Sequence, residues 1–144
     1  MRIETARIRL LLYEIKENAY DLEKALAEYT DTEIISNKAI IKSIKYTLVE
    51  LSEAMSLVLQ HILAKKYGQP VKGYIDTIRK ASELKIISDN LAQKLKPFFD
   101  FRNSLIHRYW MVNNEILIEN CRNGHKDFYG FIDEIENFLG KENV

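Results

Sequence analysis

The side chains best suited to chemistry gather in one stretch, Phe101-Arg102-Asn103-Ser104-Leu105-Ile106-His107-Arg108-Tyr109-Trp110. Histidine is the side chain best poised to accept or donate a proton near neutral pH. Arginine presents a fork of donors to a phosphate whose charge builds in a transition state. RNA carries its own nucleophile, the 2′-hydroxyl, so this set fits phosphodiester cleavage without requiring a metal. On one regular helix Arg102 and His107 project about 140° apart with ~7.5 Å of rise, and they do not meet head-on. Arg102 and Tyr109 share a face to within about 20°, and Asn103 and His107 form an i,i+4 pair. Two copies of the helix, laid together in a dimer, would complete a cleft that one copy leaves open. The same residues also fit a purely structural reading, with Arg102 in a surface ion pair and His107 capping a helix end.

The elements that must position this stretch read as helices almost throughout. Ile8, Ile15, Leu22 and Tyr29, with Leu12, Ala19 and Leu26 between them, form a one-sided stripe over about six turns. Thr30-Asp31-Thr32 supplies N-caps for a restart. Ile34, Ile41, Leu48, Met55 and Ile62 then recur every seventh position, with Ile44, Leu51 and Val58 three further on. That spacing is the seam of closely aligned packed helices, so the two long segments predict a hairpin within a bundle. Gly68 and Pro70 stop the second helix. A shorter helix follows over about 71–84, and another starts at Ser88 and reaches roughly Tyr109, with Pro97 expected to kink or break it. The last segment reads as helix interrupted near Asn123-Gly124, with a short strand over 115–119 as the alternative.

Composition bounds the rest. The 144 residues fit one domain, 1–144, with no linker, repeat or low-complexity segment. Five glycines and two prolines provide few tight turns, which argues against an all-β sandwich or barrel. No apolar run approaches the roughly 20 residues that span a bilayer, and the N-terminus does not read as a signal peptide. A single cysteine, Cys121, cannot form an internal disulfide, and a reduced, cytoplasmic setting is expected. The 21 basic and 21 acidic residues cancel, which excludes a strongly basic nucleic-acid-coating protein. Near-zero charge also offers little resistance to self-association.

Other reactive residues read as structural. Cys121 has no adjacent base and is expected to be a buried small hydrophobe. His125 has no second metal ligand at suitable spacing and reads as a surface residue at a helix start. His61 reads as a partly buried polar residue at the seam. Lys38, Lys42 and Lys45, and Lys94 with Lys96, read first as solvated faces and second as RNA contacts.

Arg102-Asn103-x3-His107-x-Tyr109 resembles the Arg-x4-His-x-Tyr motif of the HepT-like branch of the HEPN superfamily. The setting resembles it too, with a long second helix, a short third one and the motif at the end of the next, over at least Ile34 to Leu139. The resemblance implies an all-α, antiparallel bundle of four to five helices that homodimerises through the motif helices. It implies a metal-independent endoribonuclease toxin, with no cofactor and with Arg102 and His107 as the catalytic pair. Asn103 would be a supporting polar group, and Arg108 a contact for RNA or ATP-derived phosphate. It further implies a minimal nucleotidyltransferase (MNT) antitoxin as partner, silencing the nuclease by AMPylation of Tyr109. The alternatives are a catalytically silent HEPN module that docks such a nucleotidyltransferase, and a purely structural helical dimer.

Overall fold

A computed structural model describes residues 2–108 and 113–142, with the side chains of residues 106–108 outside the description. The described residues form helices α1 (Thr5–Glu28), α2 (Asp31–Ser36), α3 (Lys38–Tyr67), α4 (Tyr74–Glu83), α5 (Asp89–Arg108), α6 (Asn114–Gly124) and α7 (Asp127–Glu142). The four longest, α1, α3, α5 and α7, close a bundle in which α1 packs on α3 and α7, and α5 packs on α3 and α7. Of the short helices, α4 packs on α3 and α5, α2 on α3 and α6, and α6 also on α5.

The two periodic stripes are the heart of this bundle. Ile8, Leu12, Ile15, Ala19, Leu22 and Leu26 on α1 are all buried, and so are the eight α2–α3 positions from Ile34 to Ile62 that make up the seven-residue repeat. The α5–α7 layer adds the large aromatic volume of Phe98, Phe99, Phe128 and Phe131, none more than 1% exposed. Burying one such ring stabilises the fold by roughly 1.5–3 kcal/mol. The Phe98 and Phe128 rings lie 4.8 Å apart and tilted by 51°, an arrangement that suits their quadrupoles.

The bundle is counted as seven helices among the described residues, and not four to five, because the second stripe divides at Asn37 as well as the last segment at 125–126. Thr30 caps α2 through a reciprocal pair with Glu33, and Asn37 then caps α3 by accepting from the N–H groups of Ala39 and Ile40. The last segment divides at 125–126 as anticipated, and residues 115–119 are helical, with Asn113 capping α6. Helix α4 begins at Tyr74, three residues later than expected. Gly73 stands before it at φ 90°, and the Lys72 N–H donates to the Asp76 carboxylate. Gly68 ends α3 in the left-handed region at φ 61°. Gly124 has a different reason to be glycine: a Cβ there would sit 3.1 Å from the Phe98 ring. Pro97 lies within α5, and the helix runs through it.

Long-range polar clamps fix the ends of the helices. Helix α1 has no basic residue in its last turn. Arg122 supplies one from α6, donating to the Leu26 carbonyl at 2.5 Å and the Tyr29 carbonyl at 2.8 Å while its Nε meets Asp31 at 2.6 Å. At the opposite end, His61 of α3 is 9% exposed, and its Nε2 accepts the Glu4 N–H at 3.0 Å. Accepting that bond requires an unprotonated Nε2, and burial holds the His61 pKa below its ordinary value, against the pull of Glu4 and with the help of Arg7 and Lys65.

Two stability measurements follow from these clamps. Arg122→Ala strands two carbonyls at a helix end and is expected to lower unfolding free energy by about 1–3 kcal/mol in urea titrations. For His61, a folded-state pKa below the unfolded one means that the unfolded chain binds more protons within that window. Its contribution is complete above about pH 6.5 and is lost as pH falls from there through the folded-state pKa. Melting temperature followed from pH 7.5 to 5 should decline more steeply in the wild type than in His61→Gln. Parallel curves would show that the imidazole does not contribute.

Candidate functional site

Helix α5 is anchored before it reaches the chemical stretch. Ser88 accepts the Leu91 N–H at 3.1 Å, as expected of its N-cap. Glu134 of α7 accepts from both the Ser88 N–H at 2.6 Å and the Ser88 hydroxyl at 2.8 Å. A carboxylate there also suits the positive end of the helix dipole. Mid-helix, the buried Ser52 hydroxyl of α3 donates to the Phe98 carbonyl at 3.3 Å. Phe98 and Phe99 point into the core. Arg102, four and three residues further on, therefore emerges at the edge of that buried face, toward α3 and α4.

There its guanidinium is enclosed. Nη2 donates to Glu53 Oε1 of α3 at 2.7 Å, with the Arg102 side chain 18% exposed and that of Glu53 46%. The Cζ atom stands 5.1 Å from the centroid of the Tyr74 ring, the first residue of α4, and Tyr74 in turn leans on Phe99. Nε is buried and has no hydrogen-bond partner among the described residues. Burial, chiefly, raises the Tyr74 pKa; the Arg102 charge opposes that rise and the Glu53 charge adds to it. One cation, one carboxylate and one phenol ring thus meet where α3, α4 and α5 converge.

Of the sequence-derived site, Arg102 is placed by contacts and Asn103 stands half-buried beside it on α5. His107 and Arg108 ride the last turn of α5, but their side chains lie outside the described residues, as does Tyr109 altogether. The ion pair expected under the structural reading of Arg102 is present, with the cation mostly buried and its carboxylate half exposed. Glu53 and Tyr74 were not singled out from the sequence. Neither lies in a motif, and the only signal pointing to Glu53 is a carboxylate set among the apolar seam positions of α3. Ser104 donates back to the Asp100 carbonyl at 2.9 Å, a local helix contact. Lys38, Lys42, Lys94 and Lys96 are exposed and Lys45 is half-buried; Lys96 pairs with Asp100 at 2.8 Å. His125 is a half-buried residue at the end of α6, its Nδ1 3.8 Å from Glu23, rather than a surface residue at a helix start. Among the described residues no three His, Cys, Asp or Glu side chains are grouped to hold a metal ion, and no helix is long and apolar enough to cross a membrane.

Comparison with known proteins places this geometry. Residues 15–135 match the family model described as ribonuclease HepT-like. A protein of Archaeoglobus fulgidus named "Putative RNase" is 28% identical over 101 residues, covering 70% of this chain and 76% of its own. Among solved structures, the tri-AMPylated HEPN toxin of Shewanella oneidensis, in complex with an MNT antitoxin, superposes with a TM-score of 0.80. It is 20% identical, with 90% of this chain and 96% of that one covered. A tyrosine-to-alanine mutant of the toxin–antitoxin pair MntA-HpeT gives a TM-score of 0.79 at 21% identity, covering 90% and 98%. These likenesses establish the helical fold of α1–α7.

Cys121 is a free thiol. Fully buried in α6, its thiol is pushed up to about 12 by burial, with the neighbouring Arg122 charge only partly offsetting it. The thiolate is the nucleophilic form, so this sulfur is inert in the native fold. Native protein at pH 7.5 is expected to resist iodoacetamide and to alkylate fully in denaturant, as read by intact mass; rapid native labelling would contradict the burial.

Proposed function

Because this chain belongs to the ribonuclease HepT-like family, we propose that it is an endoribonuclease toxin of a HEPN/MNT toxin–antitoxin pair, acting in the cytoplasm as one domain over residues 1–144. The observation that carries this reading is an arginine of the family's motif, Arg102, held on α5 by the Glu53 carboxylate and the Tyr74 ring rather than left loose in solvent. The likeness to toxins solved with MNT antitoxins supports the same reading.

In the proposed reaction the RNA 2′-hydroxyl attacks its own phosphorus, and the bond from phosphorus to the 5′-oxygen breaks. One proton leaves the 2′-oxygen and one reaches the departing 5′-oxygen. His107 serves this proton traffic, and Arg102 stabilises the charge that grows on the phosphoryl oxygens. Asn103 is a supporting polar group, and Arg108 contacts phosphate. No step in this scheme calls for a metal. Two motif helices, one from each protomer of a homodimer, line the cleft. The antitoxin would silence it by transferring AMP from ATP to the Tyr109 hydroxyl, with release of pyrophosphate.

Purified protein in excess EDTA is expected to cut RNA, with Arg102→Ala and His107→Ala each slower by at least about 10²-fold. Full activity in either variant would remove that residue from the site. A folded dimer that does not cut would carry whole AMP units by intact mass if it is silenced; an unmodified inactive dimer would favour the docking module instead. Tyr109→Phe should accept no AMP from the antitoxin, and labelling equal to wild type would displace Tyr109 from this role.

A further inference from the structure

We propose that Glu53 and Tyr74 are positioning residues for Arg102: together they fix the guanidinium so that a phosphate reaches it at Nη1. The guanidinium is a planar group with three nitrogens, and each nitrogen meets different surroundings. Nη2 is committed to the Glu53 carboxylate at 2.7 Å. Nε is buried. One face lies against the Tyr74 ring, with Cζ 5.1 Å from its centroid. Nη1 donates to no other described residue. The three groups come from three different helices, so their meeting depends on the packing of the bundle and not on local sequence.

Each partner brings something the other lacks. Glu53 supplies charge and direction: one carboxylate oxygen on one Nη atom stops the guanidinium from turning about its Cζ–N bonds. Tyr74 supplies a wall, itself braced by Phe99 at 6.4 Å between centroids, and a cation–π attraction that favours a flat approach. An unheld arginine side chain has four rotatable bonds to order when phosphate binds. One already held pays that entropy during folding, which is the advantage that preorganised donors have in a transition state. Glu53 is half exposed and Arg102 far less so, so the carboxylate stands on the solvent side of the cation as its outer stay.

The geometric part stands apart from the nuclease reading; the kinetic part rests on it, and one experiment in two parts separates them. In the full-length protein with 15N-labelled arginine, slow rotation predicts separate Nη resonances for Arg102. These should coalesce in Glu53→Gln, which removes the charge but keeps the size, and in Tyr74→Leu, which removes the ring. Averaged Nη signals already in the wild type, or separate signals untouched by Glu53→Gln, would overturn the proposal. In the RNA-cleavage assay, run well below the melting temperature of each variant, Glu53→Gln is expected to lower kcat about tenfold or more, with KM held within about twofold. An unchanged kcat in an active enzyme would equally overturn it. A wild type that is unmodified by intact mass and holds separate resonances but does not cut RNA would sink the nuclease reading while upholding the anchor. Should Glu53→Gln fail to fold, Glu53→Asp takes its place in both parts, since it keeps the charge but withdraws it by one methylene.

Discussion

Helices α1 and α3, 24 and 30 residues long, bury against one another a ladder of isoleucine and leucine that neither helix could hide alone. Isolated helices are marginal in water, and most helical stability in a protein comes from burying an amphipathic face. The α1–α3 seam is therefore both the largest interface in the molecule and the reference frame for everything added later. Slippage between these two helices would move Glu53 and Ser52 along α5, and with them the contacts that define the site. The polar clamps at the two ends resist that slippage. His61 ties α3 to the start of α1, and Arg122 ties α6 to its end.

Onto that frame α5 is laid as a helix with two obligations. Its core face must hide Leu91, Leu95, Phe98 and Phe99, and its far end must carry polar groups. The two are compatible because the helical repeat lets the buried face run out at Arg102. Pro97 lacks the N–H that would bond one turn back, and its ring crowds that turn. The helix continues through it because tertiary packing outweighs the local penalty: Phe98 is locked against Phe128, and its carbonyl takes a bond from Ser52. Fixing α5 at Ser88, at Phe98 and at Arg102 leaves the chemical stretch extending from a supported segment.

What could be read from the sequence, and what could not, divides along the range of the interactions. The seam of α3 was legible because burial repeats every seven residues, and each such position is indeed buried. The caps at Thr30 and Ser88 were legible because a helix start is written within four residues. The clamps were not. Arg122 with Leu26, Glu134 with Ser88 and Glu53 with Arg102 are separated by 96, 46 and 49 residues, and no local pattern marks either member. Two of the three groups that meet at the candidate site belong to this second class. Arg102 announced itself through the motif, whereas Glu53 and Tyr74 are ordinary residues that the fold makes neighbours. His125 was misjudged for the same reason, since what half-buries it is α1, a distant part of the chain.

The Glu53–Arg102 pair also bears on how the charge of the site should be understood. A guanidinium largely withdrawn from water would be costly without a counter-charge, and pairing offsets the desolvation more than it adds net stability. The pair is then poor evidence for fold stability and better evidence for a specified geometry. Electrically it is close to neutral when viewed from a distance, so Arg102 contributes little to drawing a polyanion toward the protein. Long-range attraction falls off within about 10 Å at ordinary salt, and in a chain of zero net charge it must come from local groups such as the exposed Lys38 and Lys42 of α3. What Arg102 retains is short-range and directional. A fixed donor is worth most at the moment charge accumulates beside it, because nothing then has to reorganise. Attraction and stabilisation are thus divided between different residues, and the division follows from burial: the same packing that removes Arg102 from the outer field is what gives its remaining edge a direction.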